Sequence, residues 1–172
     1  MSDLDWLDPD EYRVMRAFSR AARGLFVQLD RELQRDVSMP RTYFEILWLL
    51  NNSPGQTLRM SELAEVTGSQ PSRITHAVAR LEEFGQVNRQ VCLEDRRGWL
   101  AVLTPEGVNA LRRATPRHAQ SIREHLLDPL SPEQREQLAA IGETVLAHLE
   151  HVRDAGSEPR ATTKTPTVTA NS

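Results

Sequence analysis

The chain has 172 residues, enough for one domain with an appendage and for a sizeable buried core. Its net charge of −3 and pI near 6.0 give no global basic field of the kind that announces nucleic acid, so any DNA-binding role must rest on local placement. Its single cysteine, Cys92, excludes an internal disulfide framework. No apolar run approaches membrane length and the acidic start is no secretion signal, so a cytoplasmic protein without a membrane partner is expected.

Asp8-Pro9-Asp10-Glu11 supplies a cap, a proline at the first helical position and an acid two residues on, which predicts a helix start. Met15, Phe18, Ala22, Leu25, Leu29 and Leu33 carry an apolar stripe from there to about Val37. A helix of that length asks for a partner, such as a second subunit. Pro40 opens a second helix predicted over 41–51, apolar on most sides through Phe44, Ile46, Leu47, Leu49 and Leu50, as a central core helix is. Asn52 to Gly55 reads as a loop, and Leu58-Arg59 as a very short strand. Ser61 is expected to cap a short helix over 62–66 with Leu63 and Val66 facing inward, followed by a turn at Thr67-Gly68.

The next helix is predicted over 69–84. Ser69 is its expected cap, Pro71 sits in its first turn, and Ile74, Ala77, Val78, Leu81 and Phe84 form an apolar face. The outer face carries Gln70, Ser72, Arg73, Thr75, His76 and Arg80, short hydrogen-bonding groups and arginines that suit groove contacts. Gly85 ends it in the left-handed conformation. A short helix, a glycine-containing turn and a second helix with a polar outer face make a helix-turn-helix. Val87 to Leu93 alternates loosely as a half-buried strand, Glu94-Asp95-Arg96-Arg97-Gly98 reads as a turn, and Trp99 to Leu103 as the return strand of a wing. The stretch 69–107 holds five arginines and five acids and is neutral, so charge alone does not argue for DNA. Thr104-Pro105-Glu106 starts a further helix, marked by Val108, Leu111, Ile122, Leu126 and Leu130, in which Pro116 predicts a kink or interruption. Ser131-Pro132-Glu133-Gln134 is another helix start, and Leu138, Ile141, Val145, Leu149 and Val152 follow at helical spacing. Gly156 to Ser172 has almost nothing to bury and is expected to be a disordered tail.

Through these residues the chain resembles the MarR (multiple antibiotic resistance regulator) family of bacterial transcriptional regulators. The resemblance is carried by Ser61-Glu62-Leu63-Ala64, by Leu81-Glu82 with Gly85, and above all by Asp95-Arg96-Arg97 followed by Leu103-Thr104 and Gly107. It spans roughly Tyr12 to Val152, with two departures: the polar run Gln86-Val87-Asn88 and the large Trp99 beside the wing turn. It implies a mainly α fold, a winged helix-turn-helix with a two- or three-stranded wing sheet and long dimerisation helices at both ends. The implied division is 1–39 for N-terminal dimerisation, 40–107 for the DNA-binding domain, 108–154 for C-terminal dimerisation and 155–172 for the tail. The implied function is to bind double-stranded DNA at a palindromic operator as a homodimer, with the recognition helix 69–84 in the major groove and the wing 87–103 in the minor groove. Repression, relieved by a small-molecule effector, is the expected mode.

The expected DNA-binding residues are Ser69, Gln70, Ser72, Arg73, Thr75, His76, Arg80, Asp95, Arg96 and Arg97. Arg73 is the candidate guanine reader, because its fork matches O6 and N7 together. Arg80 is assigned to phosphate, and Arg97 matches the family's minor-groove arginine. Asp95 orients that arginine, and Arg96 touches phosphate or pairs internally. Taken singly, each exposed arginine is as well explained by solvation. Tyr43, Phe44 and Trp48 are candidates to line a pocket for a small aromatic or phenolic effector, against plain core packing. Cys92 is read as an inert half-buried thiol rather than a redox sensor. The pairs His118 with His125 and His148 with His151 lack partners at diagnostic metal spacing, so no metal site and no cofactor are expected. With no phosphate loop, placed nucleophile or metal motif, the chain is not expected to be an enzyme. The alternatives are a winged-helix protein–protein interaction module and a thiol- or metal-responsive regulator.

Overall fold

The computed structural model describes residues 6–92 and 98–156. Helix α1 runs over Pro9–Val37; the Asp8 carboxylate accepts from the Asp10 and Glu11 N–H groups while Glu11 accepts from the Asp8 N–H, the reciprocal cap that the sequence announces. Helix α2, Arg41–Asn51, follows Pro40 and is the core helix, with Ile46, Leu47 and Leu50 fully buried. A short turn at Pro54–Gln56 leads into strand β1, Thr57–Arg59. Helices α3, Met60–Val66, and α4, Pro71–Glu83, come next, then strands β2, Val87–Val91, and β3, Trp99–Leu103. Helix α5, Pro105–Ile122, passes into a π-helical turn at Arg123–Leu127.

The three strands form one antiparallel sheet in the order β1-β3-β2, so β3 is flanked on both sides, with Ala101 opposite Leu58 on one and Arg89 on the other. One apolar core joins Leu33 of α1, the inward face of α2, Leu63 of α3, Ile74, Val78 and Leu81 of α4, Val87, Ala101 and Leu103 of the sheet, and Ala110, Leu111 and Ala114 of α5. Each large aliphatic side chain so placed contributes about 1.5–3 kcal/mol relative to exposure.

Helix α6, Pro132–Gly156, belongs to a second unit of the chain. The Ser131 hydroxyl accepts from the Gln134 N–H and Gln134 reciprocates to the Ser131 N–H. Along it Leu138, Ile141, Val145, Leu149 and Val152 form an exposed stripe.

Several local expectations are corrected. Helix α3 starts at Met60 rather than at Glu62, because Glu62 accepts from the Arg59 N–H at 2.8 Å and closes the first turn there; Ser61 lies inside the helix and is not its cap. Val66 is exposed, and Ala64 takes the inward position beside Leu63. Helix α4 starts at Pro71, with Gln70 at the cap position, so Ser69 is not the cap: its N–H closes the preceding turn on the Ala64 carbonyl at 2.9 Å. Phe84 stays exposed because the helix ends at Glu83. Strand β2 buries only Val87; Arg89 and Val91 share its face by alternation but lie farther along the hairpin and are exposed. Pro116 lies within α5 without interrupting it, and the long helix expected to reach Leu130 instead ends at Ile122. The α1 stripe, for which the sequence asks a partner, is exposed at Met15 and Phe18 and becomes buried only at Leu29 and Leu33. The expected tail falls almost wholly on 157–172, outside the described residues.

Candidate nucleic-acid interface

The turn between α3 and α4 is built from three local devices. The Thr67 hydroxyl donates to the Leu63 carbonyl at 2.7 Å, Gly68 takes a positive φ of 59°, and its N–H reaches the Glu65 carbonyl at 3.0 Å. Helix α4 is then pinned by its buried face of Ile74, Ala77, Val78 and Leu81. At 100° per residue the opposite face is necessarily that of Ser72, Arg73, Thr75, His76 and Arg80, and all five are exposed. Gln70 is exposed at the helix start, while Ser69 is half-buried in the turn.

The arginines on this face are not equivalent. The Arg73 guanidinium makes no ion pair among the described residues. Arg80 is paired with Glu83 and lies 5.3 Å from the Phe84 ring centroid, so a phosphate would have to compete for it. The Thr75 hydroxyl donates back to the Pro71 carbonyl at 2.9 Å, which leaves it only acceptor capacity.

Asp95, Arg96 and Arg97, at the expected wing turn, lie outside the described residues. At the base of the hairpin the Cys92 N–H reaches the Gly98 carbonyl at 2.9 Å, and Cys92 itself is buried. Two residues that the candidate set omits tie this hairpin to α4. The Arg89 N–H and Nε donate to Glu82 at 3.1 and 2.7 Å, and these bonds, the backbone one foremost, hold the Glu82 carboxyl below the usual carboxylate range. Only the seven-residue interval across Gly85 hints at the pair, and the interval means nothing until the chain reverses there. The Leu103-Thr104 and Gly107 signature also acquires a reason. The Thr104 hydroxyl donates to the Gly85 carbonyl at 2.7 Å and accepts from the Gly107 N–H at 3.1 Å, while the Thr104 N–H reaches Gln86 at 3.1 Å. The end of α4 and the start of α5 are therefore stapled together. Gly107 packs so closely that a Cβ there would run into the Gln86 carbonyl oxygen.

Phe44 and Trp48 lie on a cavity of about 320 Å³, shared with Arg41, Glu45, Thr115 and His118. Their rings stack with centroids 6.1 Å apart, and His118 leans on Phe44 at 4.4 Å. Burial, and then the neighbouring Arg41 charge, push the pKa of the His118 imidazole below its ordinary value, and its Nδ1 is buried with no partner among the described residues. Tyr43 belongs elsewhere, on a second cavity with Met39, Phe84 and Arg113. His118 and His125 do not converge: His125 Nε2 instead lies 2.8 Å from Glu32. Glu32 is 5% exposed, bonded also to Ser121, to Gln28 at 2.6 Å and to Arg117 at 2.9 Å, and the Ser121 and His125 hydrogen bonds bring its carboxyl down to about 2 against its desolvation. Glu32, Glu124 and His125 offer ligand atoms within 4.8 Å of one another. The Arg117 guanidinium already sits against both carboxylates, so a cation there would meet a fixed positive charge.

The sequence model of the MarR family matches residues 39–98. The crystal structure of Sco3205, a MarR family transcriptional regulator from Streptomyces coelicolor solved in complex with DNA, is 44% identical, with 84% of this chain and 94% of that chain covered and a TM-score of 0.77. The crystal structure of AbsC, a MarR family transcriptional regulator from the same organism, is 36% identical, covering 85% of this chain and 98% of that one at a TM-score of 0.76. The helix-turn-helix-type transcriptional regulator YfiV of Bacillus subtilis is 35% identical over 104 residues, a span of 60% of this chain and 62% of YfiV.

Proposed function

Since the chain belongs to the MarR family of transcriptional regulators, we propose that it binds double-stranded DNA at a palindromic operator as a homodimer, with α4 in the major groove and the hairpin over the adjacent minor groove. The observation that carries this is the exposed outer face of α4, where Ser72, Arg73 and His76 stand opposite a fully buried stripe, beside a hairpin anchored to the same helix. Sco3205, which was crystallised with DNA, supports it. Arg73 reads a base with Gln70, Ser72, Thr75 and His76 beside it in the groove and Ser69 at the helix start, Arg80 and Arg96 meet phosphate, Arg97 reaches the minor groove, and Asp95 orients Arg97. The exposed apolar stripes of α1 and α6 are what a second copy would cover, which supports residues 1–39 and 108–154 as dimerisation segments. The protein acts in the cytoplasm as a repressor, and a small aromatic or phenolic effector in the cavity beside Phe44 and Trp48 releases it.

The test is a mobility-shift titration of purified protein against a fragment of its own upstream region. Binding should depend on sequence and fall steeply as salt rises, because cations are released from each neutralised phosphate. Absence of both sequence preference and salt slope would leave the winged helix as a protein–protein module instead.

A further inference from the structure

Arg89 and Trp99 lie on one face of the sheet, because Arg89 stands opposite Ala101 and Val91 opposite Trp99, two residues along each strand. The Arg89 guanidinium is fixed at one end by Glu82 and lies 5.9 Å from the Trp99 ring centroid at the other. Trp99 is nevertheless half exposed. It forms one wall of a cleft of about 410 Å³ whose other walls include Arg89, Ser61 of α3 and Thr75 on the outer face of α4. An apolar ring costs hydration at such a position unless something covers it. In any duplex the sugar-phosphate backbone is the ridge between major and minor groove, so the backbone is what a cleft between a major-groove helix and a minor-groove hairpin would meet.

We propose that this cleft seats one DNA backbone segment, with the Trp99 ring packed on a deoxyribose, its indole N–H and the Ser61 hydroxyl turned to the adjoining phosphate, and Arg89 acting as the positioning residue that holds Trp99 at a fixed distance from α4. This rests on the DNA-binding reading above. Arg89 is neutralised by Glu82 and adds little to long-range attraction. The pair therefore sets the spacing between the two groove contacts rather than the strength of electrostatic binding.

The experiment uses the full chain labelled with 5-fluorotryptophan, which gives three fluorine resonances for the three tryptophans, with Trp99 assigned by W99F. On adding an operator duplex, the Trp99 resonance should shift and lose its H2O/D2O isotope shift as the ring is covered. Hydroxyl-radical footprinting should show sugars protected between the half-site and its flank with the wild type and cleaved with W99A. W99A should bind about tenfold more weakly, the effect of covering roughly 60 Å² of apolar surface. The double variant E82Q/R89Q, which removes the pair without changing the net charge, should blur the same protection while keeping the wild-type salt slope, which a general loss of folding would not do. A Trp99 resonance that keeps its position and isotope shift in a complex of full affinity, or a W99A footprint identical to wild type, overturns the proposal while leaving the regulator reading intact. A wild type that shows neither sequence-dependent nor salt-dependent binding overturns both.

Discussion

Arg73 and Arg80 are seven residues apart on one exposed face, yet their neighbours give them different prospects. Arg73 has no ionic partner among the described residues, so its fork is available for a guanine edge at the cost of its own desolvation only. R73A is expected to cost about 1–3 kcal/mol of operator affinity and to relax preference at a single base pair, as a selection from a randomised operator would reveal. Arg80 must leave Glu83 and the Phe84 ring to reach a phosphate, so R80A should weaken binding less, and equally on all sequences. If R80A were instead to change base preference, the roles would be reversed. Side-chain identity and helical phase were enough to nominate both arginines. The distinction between them was also open to reading, because Glu83 stands three residues after Arg80 on the same helix whereas Arg73 has no acid three or four residues away.

At the scale of elements, the junction between α4 and α5 turns a sequence signature into a mechanical part. Thr104 bonds the end of one helix and caps the next, and Gly107 lets the two backbones touch. G107A should therefore destabilise the fold by about 1–3 kcal/mol through overpacking, read as a lower denaturant midpoint with an unchanged slope. T104S should keep the cap and most of the stability, whereas T104A leaves the Gly107 N–H without its acceptor and should lose about 1 kcal/mol. Element order, the caps at Asp8, Thr104 and Ser131, and the left-handed Gly85 were all readable, since each depends on neighbours within four residues. The starts of α3 and α4 were misread by one or two residues. The start of α3 hinges on which of several adjacent polar groups wins the first-turn bond, and Glu62 won it, while Ser69 is taken up by the turn before α4, where its N–H bonds Ala64.

For the whole molecule, the buried Glu32 ties α1 to α5 through Ser121 and Arg117 and to the π-helical turn after it through His125. Its folded-state carboxyl is held at about 2 against an ordinary 4.5, so its ionised form stabilises the fold fully above that ordinary value, and the contribution is lost as pH falls from there through about 2. E32Q should accordingly be less stable at neutral pH and show a shallower acid limb in that window, measured by circular dichroism. An acid limb as steep as wild type would assign the whole acid transition to other carboxylates, Asp36 foremost, which Arg35 and Arg117 also hold low. The exposed stripe of α6 makes a separate prediction. I141D combined with L149D should convert the proposed dimer to monomer by sedimentation and abolish operator binding at concentrations where the wild type is saturated, because two half-sites about 10 base pairs apart need two linked recognition helices.

Periodicity and caps act over a few residues, and so the sequence by itself determined the helices, the hairpin strands, the polar outer face of α4 and the family. What depends on chain segments far apart was decided only by the tertiary structure. Arg89 meets Glu82 after the reversal at Gly85, and His125 meets Glu32 across 93 positions rather than joining His118. Tyr43 parts from Phe44 and Trp48 because successive helical residues point about 100° apart, and only packing says which cavity each direction opens on. Electrostatic partners on different elements carry no periodic signal in sequence, so the neutral charge balance of 69–107 hid that Arg89 is held by Glu82.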